Sequence, residues 1–102
     1  MEKPVLNEVF ELLKEIGAVG SESEFSTDWL GRSECYMRTL RFKKGQPSTG
    51  TLAICASKLA YYGRKLKEKQ KHMEISDRML QLSEACNRQI DHFGSAQWME
   101  ER

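Results

Sequence analysis

Five cations, Arg32, Arg38, Arg41, Lys43 and Lys44, stand close together in the chain, with Glu34 the one acid among them. Arginine presents a planar fork that can meet a guanine edge through two donors, whereas lysine is a compact charge suited to phosphate. Ser33, Glu34 and Thr39 lie between these cations and add short polar groups. A glutamate in such a place can accept from a cytosine amino group. On one short helix, Arg38 and Glu34 would read base edges while Arg32, Arg41, Lys43 and Lys44 neutralise phosphates. A good base contact discriminates by roughly 1–3 kcal/mol, whereas phosphate contacts set affinity and register without reading sequence directly. The candidate DNA-contacting set is therefore Arg32, Ser33, Glu34, Arg38, Thr39, Arg41, Lys43 and Lys44. The competing reading is a solvated basic turn with no ligand.

Charge supports the first reading along the chain. Residues 1–31 carry two bases against seven acids, residues 32–72 eleven bases against two acids, and residues 73–102 three bases against six acids. The net charge of +1 thus hides a basic middle between acidic ends, which suits a polyanion. Mutual neutralisation of these segments within the fold is the alternative. Other chemistries find little support. No phosphate-cradling glycine loop, nucleophile elbow or paired His/Glu spacing is present, so no enzyme activity is expected. His72 and His92 are far apart with no ligand cluster, so neither a metal nor another cofactor is expected. Cys35, Cys55 and Cys86 form no CxxC pair, and a reducing cytoplasm is the expected home. No apolar run is long enough to cross a bilayer, so no membrane partner is expected. The stretch Met1 to Val5 has no long apolar core of the kind a secretory signal needs.

The elements that must position these residues read as all-α, with about five helices. A first helix is expected from Pro4 to Ile16, with Val5, Val9, Leu12 or Leu13, and Ile16 on one face, Phe10 beside them and Gly17 as its stop. Ser21 and Glu24 form a capping signature for a second helix over about 22–30. After Gly31, Ser33 is expected to cap a third helix over about 34–42, with Tyr36, Met37 and Leu40 inward. Ser48 caps a fourth, with Leu52, Ala56, Leu59, Tyr62 and Leu66 at helical steps and a charged tail to Lys71. A last helix over about 75–93 carries Ile75, Met79, Leu82, Cys86, Ile90 and Phe93, nearly a heptad seam, and Gly94 is read as its stop.

The segment from Ser21 to Leu59 resembles the Cro/phage-repressor type of helix-turn-helix domain, also called the xenobiotic-response-element type. The resemblance rests on Leu30-Gly31, on Met37 and Leu40 beyond the glycine, on Gly45-Gln46-Pro47-Ser48, and on Leu52, Ile54, Cys55, Ala56 and Leu59. The chain also resembles a small uncharacterised bacterial family built around an Asp-Trp-Leu-Gly-Arg-Ser core, here Asp28 to Ser33. One position departs from the helix-turn-helix pattern: Thr27 stands where that family has a small alanine, flanked by the bulky Phe25 and Trp29. A turn longer by one residue, or a wider helix crossing, is the expected consequence.

The resemblance implies a small bacterial or phage-derived transcriptional regulator that reads the major groove of double-stranded DNA with the helix after Gly31. Residues 1–66 would form the helix-turn-helix domain. Residues 67–102 would form a C-terminal helical extension that pairs two copies as a homodimer through Ile75, Met79, Leu82, Cys86, Ile90 and Phe93. Equally, that seam would pack on the chain's own first or fourth helix. A different class of function is a protein-binding adaptor or inhibitor on the same scaffold, with another protein as partner. The acidic first 31 residues and the departure at Thr27 motivate it, since an acidic helix beside DNA is repelled.

Overall fold

The computed structural model describes residues 3–100. Among them every regular element is a helix and no strand occurs. The helices are α1 (Val5–Glu15), α2 (Glu22–Glu24, continued by a π-helical turn Phe25–Trp29), α3 (Tyr36–Lys43), α4 (Thr49–Glu68) and α5 (Met73–Glu100).

Local chemistry sets most of the ends. Gly17 adopts φ 80°, and the Ala18 and Gly17 N–H groups return to the Leu13 and Lys14 carbonyls at 2.8 and 3.1 Å, which closes α1 in a Schellman turn. Ser21 Oγ accepts from the Glu24 N–H at 3.2 Å, and the Glu24 carboxylate reaches back to the Gly20 N–H at 3.3 Å. Ser48 Oγ likewise accepts from the Thr51 N–H at 3.2 Å and starts α4.

Three boundaries differ from expectation. The second helix widens in its last turn: the Leu30 N–H donates to the Phe25 carbonyl at 3.2 Å, one residue further than an α-helix allows. Within that turn the Thr27 hydroxyl donates to the Ser23 and Glu24 carbonyls at 3.1 and 3.3 Å, the kind of back-bonding that bends helices. The third helix begins at Tyr36 rather than Glu34, with Cys35 at its N-cap and no side-chain cap from Ser33. Finally, α5 runs through Gly94 to Glu100. A glycine stops a helix where it turns left-handed, and Gly94 does not.

For α5 the structure shows one of the two arrangements expected of its seam, packing within the chain. It folds back antiparallel along α4, reversing direction through Gln70 and His72, both at positive φ (54° and 50°). Small residues allow the close approach. A Cβ on the buried Gly63 would meet Leu80 Cγ at 3.0 Å. Ser76 and Ser83 donate across the seam to the Gly63 and Ala56 carbonyls, each at 2.7 Å. Cys55 and Cys86 also meet there; their hydrogen bond, together with burial, raises the Cys55 thiol well above its ordinary pKa and keeps it protonated.

Met79, Leu82 and Cys86 are therefore core residues, at most 4% exposed. They pack with Leu13, Leu52, Cys55 and Leu59, and Ile75 and Ile90 border the same cluster. Of the expected pairing seam, Phe93 alone stays more than half exposed. Met79, Leu82 and Cys86 are covered within the chain, where exposing a large apolar side chain would cost roughly 1.5–3 kcal/mol, while Ile75 and Ile90 stay half-buried. The boundary expected near residue 67 falls in the last turn of α4, and the segments on either side share one core. Across the top, Phe10 of α1 packs on Phe25 at 5.7 Å, and Arg78 of α5 reaches Glu8 of α1 at 3.3 Å.

Candidate nucleic-acid interface

Met37 anchors α3. It is 3% exposed, and its N–H donates at 3.3 Å to the buried Ser26 Oγ of the preceding helix. Tyr36 and Leu40 are half-buried on the same side. This inner stripe forces Arg38, Thr39, Phe42 and Lys43 outward, and all four are exposed. Ser33 and Glu34 are exposed too, but they belong to the turn before α3 rather than to the helix.

The five cations do not behave alike. Arg32 folds over the start of α4: its Nε donates to Thr51 Oγ1 at 2.9 Å and its Nη2 to Ser48 Oγ at 3.0 Å. Its guanidinium also lies 5.6 Å from the Tyr36 ring centroid. Arg32 thus ties the turn after Gly31 to the N-terminus of α4. Arg41 makes two bonds to the Glu22 carboxylate, at 2.6 and 3.2 Å. The hydrogen bond and the adjacent negative charge raise the Arg41 pKa above its usual value, and the fork that would grip a phosphate is taken.

Arg38, Lys43 and Lys44 form no ion pair among the described residues. Arg38 Nη2 rests on Cys35 Sγ at 3.0 Å, a weak acceptor that leaves the other donors of the fork available. Lys44 closes α3 in the left-handed conformation, φ 53°, a place that normally falls to glycine.

Sequence reasoning missed two features of this surface. Phe42 is 87% exposed beside Arg38 and Lys43. Its position one helical turn after Arg38 was the available signal, since that spacing puts both on the outer side. The service of Arg32 to α4 had no local signal, because its partners lie 16 and 19 residues away. Among the described residues no helix is long and apolar enough to cross a membrane, and no cluster of His, Cys, Asp and Glu could hold a metal ion.

A family of unknown function, DUF6626, matches residues 6–99. The chain belongs to this family. The DUF6626 match runs from the first turn of α1 to the end of α5, so it takes in the α4–α5 hairpin as well as the helices around α3. No curated protein and no solved structure matches the chain.

Proposed function

We propose that this DUF6626 member is a small DNA-binding regulator that lays the outer side of α3 in the major groove. One observation carries the reading: Arg38, Thr39, Phe42 and Lys43 form an exposed strip on a helix whose opposite side is pinned by Met37, and among the described residues neither Arg38 nor Lys43 forms an ion pair. Arg38 reads a base edge, Phe42 meets a thymine methyl, and Lys43 and Lys44 hold phosphates. The connection through Gly31, φ 65°, supports a helix-turn-helix of the phage-repressor type, with the wide turn at Phe25–Trp29 as its departure. Two copies pair through the part of α5 left uncovered, where Phe93 and Met99 are 53% and 57% exposed. A reducing cytoplasm suits the three free cysteines.

The test is a titration of the full chain with duplex DNA at two salt concentrations, repeated with Arg38→Ala and with Lys43→Ala/Lys44→Ala. Affinity should fall steeply with salt. The double lysine change should weaken all duplexes alike, whereas Arg38→Ala should erode preference among them. Undetectable duplex binding at low salt sinks the proposal. Sedimentation of Phe93→Asp against the parent chain tests the pairing.

The second reading is a protein-binding adaptor. It is favoured by the same Phe42, since so exposed an aromatic side chain suits a protein anchor pocket, and by the Glu22–Arg41 pair, which dilutes the positive field beside α3.

A further inference from the structure

A second group of cations lies on α4, away from α3. Lys58, the adjacent Tyr61 and Tyr62, Lys65 and the C-cap residue Lys69 recur every three or four positions along one side of α4, facing the Phe25–Trp29 turn. They border a cleft of about 710 Å³, the size typical of small-molecule sites. Its floor is aromatic. Trp29 is 8% exposed and meets Tyr62 at 5.6 Å, while Tyr61 stands edge-on to Tyr62 at 5.1 Å. The two tyrosines are nevertheless half in water, at 54% and 47% exposure.

The ammonium groups are placed against these rings. Lys58 Nζ lies 5.7 Å from the Trp29 centroid and Lys65 Nζ 5.5 Å from that of Tyr61. Lys58 also donates to the Asp28 carbonyl, so its ammonium is held at the rim. None of Lys58, Lys65 and Lys69 forms an ion pair among the described residues, and Asp28 is the one acid along the lining.

At 54% and 47% exposure the two tyrosines keep ring surface open to a ligand beside the ammonium groups. Flat aromatic surface and uncompensated ammonium groups are satisfied together by a ligand that is both planar and anionic. An acidic peptide would use the lysines and leave the rings bare; an apolar molecule would do the reverse. We propose that this cleft binds a nucleotide, its base stacked on Tyr61, whose ring meets Tyr62 edge-on, and its phosphate held by Lys65 and Lys69. The cleft begins about 15 Å along α4 from the capped N-terminus at Ser48. It is thus separate from the α3 strip and stands whether or not α3 meets a duplex.

The test uses the full chain carrying Trp98→Phe, so that Trp29 is the sole fluorophore excited at long wavelength. Deoxyadenosine monophosphate should quench Trp29 saturably, with half-saturation below about 1 mM, a modest affinity for so open a site. Tyr61→Ala and Lys65→Ala should each weaken it about tenfold, Tyr61→Phe should retain it, and Lys67→Ala should leave it unchanged. A ten-residue deoxyadenylate strand distinguishes the source. Binding at least about tenfold tighter than the monomer marks a nucleotide within a strand, and similar binding marks a free one; both bear out the base-plus-phosphate chemistry. No saturable quenching by either ligand up to about 10 mM overturns the proposal. Equal quenching by inorganic phosphate or by an oligoglutamate peptide does so too, as does full binding by Tyr61→Ala. Should Tyr61→Ala fail to fold by circular dichroism, Lys65→Ala and Tyr61→Phe decide the matter. Arg38→Ala, which tests the α3 reading, should leave this quenching intact, so the two proposals fail separately.

Discussion

The two amphipathic helices α5 and α3 use their apolar residues in opposite ways. On α5, Met79, Leu82 and Cys86 lie against the rest of the chain, and none is more than 4% exposed. On α3, Met37 is buried while Phe42 stands 87% exposed among cations. Apolar surface removed from water stabilises the fold and is lost to recognition, whereas apolar surface kept in water stabilises nothing until something covers it. The same division holds for charge. Arg32 and Arg41 hold the body together, and Arg38, Lys43 and Lys44 do not.

The largest effect should come from breaking the α5 side. Leu82→Ala should cost about 3 kcal/mol of stability in denaturant titration, since a fully packed leucine is replaced by a cavity. Duplex affinity per folded molecule should stay the same; a parallel loss would mean that α5 contributes to contact as well as to the core. Phe42→Ala should do the opposite, lowering duplex affinity about tenfold and changing stability by less than about 0.5 kcal/mol, as exposed positions usually do. A melting temperature that drops sharply would show that Phe42 is covered in the working molecule.

A smaller effect should sharpen the division of charge. Glu22→Gln releases Arg41 from its pair. Duplex affinity should rise about threefold, with the salt slope steeper by about one phosphate contact. No change in the slope would show that Arg41 faces away from the duplex. The smallest effect is expected at the end of α3. Lys44→Gly relieves a left-handed residue and should raise stability by no more than about 1 kcal/mol, partly offset by the freedom glycine gains in the unfolded chain. The same change should weaken duplex binding by the loss of one charge. If stability falls instead, the Lys44 side chain is itself structural.

Much of the helical skeleton was legible because its signals are local. Ser21, Gly17 and Ser48 do at their helix ends what their types suggest. The inward set Tyr36, Met37 and Leu40 was visible from spacing alone, and with it the outward direction of Arg38 and Thr39. Thr27 announced a disturbance, although its form, a widened turn, depended on hydroxyl bonds to two carbonyls. The fate of the α5 seam was not legible. A heptad-like stripe satisfies the same pattern against its own chain or another, and the choice fell to Gly63, Ser76 and Ser83, whose small size lets α4 come close.

The order of residues by itself determined that this chain is helical, where most of its helices begin and end, and which side of each helix is apolar. These follow from capping geometry and from a period of 3.6 residues, both of which act within a few positions. Tertiary structure alone decided which apolar sides are covered, which cations are engaged by partners elsewhere in the chain, and that Trp29, Tyr61 and Tyr62 gather beside lysines in a cleft. Those outcomes depend on groups brought together from distant parts of the chain, and helical periodicity carries no information about which face will meet which.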